Sequence, residues 1–127
     1  MHVADTHSFL WHLQNDQALG SKARSVFGAC DKGDGVVVIP SIVLVESIFI
    51  CEKKKTDMNF QDILEKLKTA SNYYIYPLNE DVVLECNKIK MEEPHDRIIV
   101  ATARLLKVKL ITKDKKIKQS KLVETLW

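Results

Sequence analysis

Val36-Val37-Val38-Ile39-Pro40-Ser41-Ile42-Val43-Leu44-Val45-Glu46-Ser47-Ile48-Phe49-Ile50 is the most apolar stretch of the chain, and it contains two kinds of element. Its first four residues are β-branched and apolar without alternation, the pattern of a strand covered on both faces, as in a parallel sheet. Pro40 and Ser41 suit the opening of a helix. Ile42, Val45, Ile48 and Phe49 recur at helical spacing and are expected to form its buried stripe. Pro40, Ser41, Glu46 and Ser47 make the stretch too broken to cross a bilayer, which takes about 20 apolar residues.

The same alternation extends in both directions. Upstream, His2 to Ala4 reads as a short strand and Ser8 to Leu13 as helical. Ser21 is placed to cap a helix carrying Ala23, Val26, Phe27 and Cys30 on one face, and Asp31-Lys32-Gly33-Asp34-Gly35 breaks it. Downstream, Phe60, Ile63, Leu64 and Leu67 make a helical stripe, followed by an aromatic strand from Tyr73 to Tyr76. Asn79-Glu80-Asp81 caps a helix bearing Val82, Cys86 and Ile89. Pro94 precedes a helix through Ile98, Ile99, Ala101, Ala103 and Leu106. Leu110 to Thr112 and Leu122 to Glu124 are the last expected strands. Strands that alternate with helices imply crossovers, so the expected architecture is a three-layer α/β/α sandwich around a mainly parallel, twisted sheet of four or five strands. No repeat or linker divides the 127 residues, and residues 1–127 read as one domain.

Hydrophobic residues at 46% and charged residues at 28% exclude a disordered, collagen-like or disulfide-scaffold chain. Cys30, Cys51 and Cys86 show no CxxC spacing and read as buried free thiols. Together with an N-terminus that lacks a signal-peptide pattern, this leads us to expect a cytoplasmic protein that does not enter a membrane. Nineteen Lys and Arg oppose seventeen Asp and Glu, a balance of +2 that at first argues against nucleic acid as a partner. The balance is uneven, however. Eight of the basic residues lie between Arg104 and Lys121, where Asp114 is the one acid, and the rest of the chain stands at −5.

Open parallel sheets place their sites at the carboxyl ends of the strands. Four carboxylates fall there: Asp5 after the first strand, Glu46 one turn into the helix after the second, Asp96 in the first turn after Pro94, and Asp114 after Leu110 to Thr112. Taken singly, Asp5, Asp96 and Asp114 read more readily as helix caps than as ligands. Glu46, flanked by Ile42 to Val45 and Ile48 to Ile50, is harder to explain structurally. Four such acids gathered at one edge repel one another unless a cation stands among them, and an all-oxygen donor set selects Mg²⁺ or Mn²⁺.

At these residues the sequence resembles the PIN-domain ribonucleases, and within them the VapC-type toxins of toxin–antitoxin pairs. The resemblance rests on Val3-Ala4-Asp5-Thr6-His7 with Leu10-Trp11, on Pro40-Ser41-Ile42-Val43-Leu44-Val45-Glu46, on His95-Asp96-Arg97-Ile98-Ile99-Val100-Ala101-Thr102-Ala103, and on Leu110-Ile111-Thr112-Lys113-Asp114, in that order along nearly the whole chain. It implies a metal-dependent endoribonuclease in which Asp5, Glu46, Asp96 and Asp114 hold one or two Mg²⁺ or Mn²⁺ ions that activate water against an RNA phosphodiester. Thr6 and Thr112 would support that cluster. A small antitoxin protein and a second copy of the chain are the implied partners. Arg97, Arg104 and Lys113 are candidates to meet RNA or antitoxin, and His95 to touch substrate.

The sequence departs from the family's pattern in two places. Relatives often carry a further Asp just ahead of the third acid; here the segment reads Lys90-Met91-Glu92-Glu93-Pro94-His95-Asp96, with Glu92 and Glu93 as substitutes or solvated surface. The segment between Tyr76 and His95 is also short. Two other readings remain open. A phospho-acceptor receiver domain has a similar length and strand pattern, but it needs paired acids after the first strand and an Asp after the third, where this chain has Pro77-Leu78-Asn79. A catalytically silent PIN-like binding module is the other. If the quartet is neutralised by metal, nineteen basic residues face thirteen other acids, and the +2 no longer argues against a phosphodiester partner.

Overall fold

Val37, Val38 and Ile39 are all buried, although successive strand residues point to opposite faces, so their strand must be covered on both sides. Val3 and Ala4 in the neighbouring strand, and Leu110 and Ile111 in the strand beyond it, are buried in the same way. In the computed structural model, which describes residues 1–127, this is the middle of a five-stranded sheet paired in parallel throughout. The elements run β1 (His2–Ala4), α1 (Thr6–Leu13), α2 (Ser21–Asp31), β2 (Val37–Pro40), α3 (Ser41–Glu52), α4 (Phe60–Thr69), β3 (Tyr73–Tyr76), α5 (Glu80–Lys88), α6 (Pro94–Leu106), β4 (Lys109–Ile111), α7 (Lys115–Ser120) and β5 (Thr125–Leu126). The expected α/β/α sandwich is therefore the fold, with the upper of the two expected strand counts.

The strand order β3-β2-β1-β4-β5 opens a crevice at one edge of the sheet. From β1 the chain steps through β2 to β3 on one side, and it then crosses back to place β4 and β5 on the other. Connections leaving β1 and β4 therefore diverge, and a crevice opens between their carboxyl ends at this switch point. Ser8 fastens the rim of that crevice: its hydroxyl donates to the Asp5 carbonyl at 3.1 Å and to the Ile111 carbonyl at 3.2 Å.

Several local expectations shift. The stripe of α3 is rotated: Val43, Leu44 and Ser47 are buried, while Val45 and Phe49 are 44% and 55% exposed. A helix apolar on nearly every side carries no periodic signal to orient it. The last strand is Thr125–Leu126 rather than Leu122 to Glu124, paired through Leu110↔Thr125 and Ile111↔Leu126. Helix α7 was not expected, because Ile117 is its one buried residue. Helix α2 starts at Ser21 itself, with Gly20 as cap residue and no side-chain cap. Of the cysteines, Cys30 is buried but Cys51 and Cys86 are only partly covered. No helix is long and apolar enough to cross a membrane.

Candidate active site

Each acidic residue reaches the crevice for a local reason. Asp5 ends β1 and caps α1, its Oδ1 accepting from the Ser8 amide at 2.9 Å. Asp114 follows β4 and caps α7, its Oδ1 accepting from the Ile117 amide at 3.0 Å. The capping readings of these two hold, and a carboxylate that caps still has lone pairs to offer. Asp96 does not cap. That role falls to Glu93, whose Oε2 accepts from the Asp96 amide at 2.6 Å, with Pro94 at the first helical position. Because α6 leads into the amino end of β4, its own amino end, and Asp96 with it, stands over the carboxyl edge of the sheet. Glu46 comes from the second turn of α3, between the buried side that carries Val43 and Ser47 and the exposed side that carries Val45 and Phe49.

Asp5, Glu46, Asp96 and Asp114 line one cavity of about 500 Å³, together with Thr6, His7, Ile50, Ile99, Lys113, Lys115 and Trp127. Thr6 donates its hydroxyl to Glu46 Oε1 at 2.6 Å. Thr112, itself buried, accepts from the Asp114 amide at 3.1 Å. His95 sets Nδ1 3.3 Å from Glu46 Oε2 and 3.5 Å from Glu93 Oε1, bridging the third acid's segment to α3. No three of these side chains converge tightly enough to enclose an ion as they stand.

The electrostatics of the cavity are those of crowded anions. Burial, and then the negative charges of Glu93, Asp114, Glu46 and Asp5, push the Asp96 carboxyl up to about 6. Burial pushes Asp5 up as well, against hydrogen bonds from Thr112 and Ser8 that favour its charged form. A carboxyl raised in the folded state holds its proton where the unfolded chain has lost it. The Asp96 contribution to stability is therefore greatest below its ordinary value of 3.8 and falls as pH rises through about 6. We expect the melting temperature of the metal-free chain to decline across that interval, followed by circular dichroism, and to decline less in Asp96→Asn.

The three basic candidates part company. Lys113 lies at the cavity, its Nζ 4.6 Å from the centre of the Trp11 ring. Arg97 points away from it and donates to the backbone carbonyls of Cys86 at 2.9 Å, Ile89 at 2.5 Å and Met91 at 3.4 Å. Arg104 bonds Glu85 Oε1 at 2.9 Å and the Leu122 carbonyl at 2.7 Å, beside a separate hollow of about 750 Å³ that includes His2 and Lys109 at the amino ends of β1 and β4. The basic segment from Arg104 to Lys121 is thus divided between the two ends of the sheet. Lys113 and Lys115 line the acidic cavity, and Lys116 lines an adjoining cleft with Glu92, Glu93 and Asp96.

Sequence reasoning missed Trp127 at this cavity and the capping role of Glu93. The Glu-Pro pair at positions 93 and 94 was the available signal for the cap. For Trp127 there was none, since its place depends on β5 pairing with β4.

The sequence profile of the PIN domain matches residues 3–121. No curated protein sequence matches the chain. Among solved structures, a chain of the VapBC2 complex of Rickettsia felis bound to a promoter DNA fragment superposes with a TM-score of 0.73 at 16% identity, over 98% of this chain and 96% of that one. VapC20 of Mycobacterium tuberculosis, a toxin that cleaves the sarcin-ricin loop, gives 0.69 at 16% identity over 98% of both chains. A chain of a toxin–antitoxin complex from Klebsiella pneumoniae gives 0.61 at 22% identity over 91% of this chain and 88% of that one. At these identities the likeness is one of fold.

Proposed function

Because this chain belongs to the PIN-domain family, we propose that it is a Mg²⁺- or Mn²⁺-dependent endoribonuclease and the cytoplasmic toxin of a toxin–antitoxin pair, neutralised by a small antitoxin protein. The observation that carries the reading is the cavity into which four separate elements bring Asp5, Glu46, Asp96 and Asp114, with Asp96 pushed up to about 6 by burial and by its acidic neighbours. Such crowding costs free energy in the bare protein and becomes favourable when a divalent cation is shared. The donor set fits that ion. Its atoms are all carboxylate and hydroxyl oxygens, and neither thiolate nor an imidazole cage competes for the site. When bound, one or two such ions would supply Lewis-acid activation of water and charge for the leaving oxygen.

The chain's own side chains divide the remaining work. Asp5, Glu46, Asp96 and Asp114 would hold the cation. Thr6 fixes one Glu46 oxygen and His95 approaches the other, so the Glu46 carboxylate is oriented from two sides. Lys113 and Lys115 offer positive charge to a phosphodiester at the cavity mouth. The toxin assignment also draws on the structural likeness to toxins of bacterial complexes, one of which cleaves the sarcin-ricin loop. The homodimer that the resemblance implies would have apolar surface to use, since Val45 and Phe49 of α3, Leu78, and Val83 and Leu84 of α5 are all exposed.

The receiver alternative loses its main site, because β3 leads into Pro77 and the solvent-exposed Leu78, with no carboxylate at its carboxyl end. The silent-module alternative is decided by assay. Purified protein is expected to cut RNA with Mg²⁺ or Mn²⁺ and to stop when EDTA removes them; undiminished cutting in EDTA sinks the metal-dependent reading, and absence of cutting under all ions sinks the nuclease.

Thermal shift gives a second check. An ion that binds the folded chain at about 100 times its Kd stabilises by about 2.7 kcal/mol. Mn²⁺ is therefore expected to raise Tm by several degrees at pH 7.5, where Asp96 is ionised. It should have almost no effect at pH 4.5, where Asp96 is protonated. Equal shifts at both pH values would place the ion elsewhere.

A further inference from the structure

Only two tryptophans occur in the chain, and they meet beside the acidic cavity. Trp11 comes from α1 and Trp127 follows β5. Their ring centres are 5.8 Å apart, crossed at 69°, edge against face. His7 joins them at 5.6 Å from Trp11. The Lys113 ammonium sits over the Trp11 ring, a cation–π contact that keeps it at the cavity rather than loose in solvent. Trp127, His7 and Lys113 line the same cavity as the four carboxylates.

The wall is built into the fold. The Thr112 amide donates to the Leu126 carbonyl at 3.2 Å, which fixes the backbone just before Trp127. A side chain at position 20 is excluded by Trp127: a Cβ on Gly20 would lie 2.5 Å from its Cδ1, 2.6 Å from its carbonyl carbon and 2.7 Å from its Nε1. Yet neither tryptophan is buried, in a protein whose core encloses Phe9 and Phe27 completely. Large aromatic side chains left partly uncovered beside a site for a phosphodiester, with a lysine held against one of them, have the composition of a surface that stacks unpaired bases and tracks their backbone.

We propose that Trp127, backed by Trp11 and flanked by His7 and Lys113, forms a stacking subsite for an unpaired nucleobase next to the bond to be cut. This deepens the nuclease reading and rests on it. The subsite selects single-stranded or looped RNA, because a base inside a duplex has no free face to offer. It tolerates any of the four bases, since each has a π-face.

The test uses the full-length chain carrying Asp96→Asn, so that RNA is bound without being cut. Two probes are titrated in Mg²⁺ buffer: an octauridylate, and an eight-unit abasic ribose phosphate of the same charge. Tryptophan emission, which comes entirely from Trp11 and Trp127, is recorded. The octauridylate is expected to quench that emission and to bind at least tenfold more tightly than the abasic strand. Trp127→Leu should remove that tenfold advantage and Trp127→Phe should retain most of it. Gly20→Ala, which displaces Trp127 without deleting it, should lower octauridylate affinity and leave abasic affinity as it was.

Equal affinity and equal quenching for the two strands overturns the stacking subsite and leaves the nuclease reading standing. Failure of both strands to bind also overturns the stacking subsite, while the nuclease reading stands or falls with cleavage by the unaltered protein. The comparison of the two strands needs no variant of the wall, so it decides even if Trp127→Leu fails to fold.

Discussion

Asp96→Asn is expected to lower RNA cleavage by about a thousandfold or more while the chain stays folded and its Tm rises by a few degrees. Removing one preorganised electrostatic group from an active site costs about 10²- to 10³-fold in rate, and a charged ligand of a divalent ion is worth no less. The stability change has the opposite sign. The Asp96 carboxyl is pushed up to about 6, which means that its ionised form is disfavoured at neutral pH, first by burial and then by Glu93, Asp114, Glu46 and Asp5. An uncharged amide of the same shape removes that repulsion. Its backbone amide keeps the bond to Glu93, so the cap of α6 survives. Single-turnover cleavage of a labelled RNA, with Tm measured on the same sample, checks both halves. A variant that cuts at more than a tenth of the original rate would remove Asp96 from the site, and a Tm that falls by several degrees would show that its charge is stabilising.

Arg97→Ala is expected to behave in the reverse manner, losing stability and keeping chemistry. Its guanidinium donates to the carbonyls of Cys86, Ile89 and Met91, which lie at the end of α5 and along its connection to α6. Helix ends leave carbonyls without partners, and this one side chain satisfies three at once. Truncation deletes charge-assisted bonds and leaves the Ile89 and Met91 carbonyls without this donor, while Cys86 keeps the Ile89 amide, a loss of about 2–4 kcal/mol for a partly covered group. In a domain of this size that corresponds to a fall in Tm of roughly 10 °C. Arg97→Lys should recover less than half, because an ammonium cannot span three acceptors in a fixed fork. If Arg97 instead met the RNA, the variant would keep its Tm and lose kcat/KM. Denaturation and cleavage assays on the soluble variant separate the two outcomes.

The contrast between Asp96 and Arg97, adjacent in the chain, shows what the sequence made legible. Strand Tyr73–Tyr76 was found to the residue and β1 likewise, because short apolar runs between polar breaks leave little freedom in their ends. The four acids could be found because Asp5, Asp96 and Asp114 sit at a strand end or helix start and Glu46 interrupts an apolar run, features that local pattern exposes. Arg97 could not be placed, since whether a guanidinium faces solvent or folds back onto its own backbone depends on how α5 and α6 pack. Helix α3 shows the same limit in another form. Its sequence says helix clearly, but with Ile42, Val43, Leu44 and Val45 in succession no face is distinguished, and the core chose Val43 and Leu44. Helix α7 lay hidden for the opposite reason. Lys115-Lys116-Ile117-Lys118-Gln119-Ser120 has almost nothing apolar to repeat, and it is started by the cap from Asp114.

That Asp5 and Asp114 each cap a helix has a consequence for how such a protein can change over generations. Asparagine caps a helix as well as aspartate does, and the two codons differ by one base. If Asp5 and Asp114 hold the cation as proposed, a lineage can lose cleavage at either position in a single mutational step and keep a chain that folds, persists and still presents every surface that a partner recognises. Selection for stability alone offers these two carboxylates no protection. Only continued use of the activity keeps them in place.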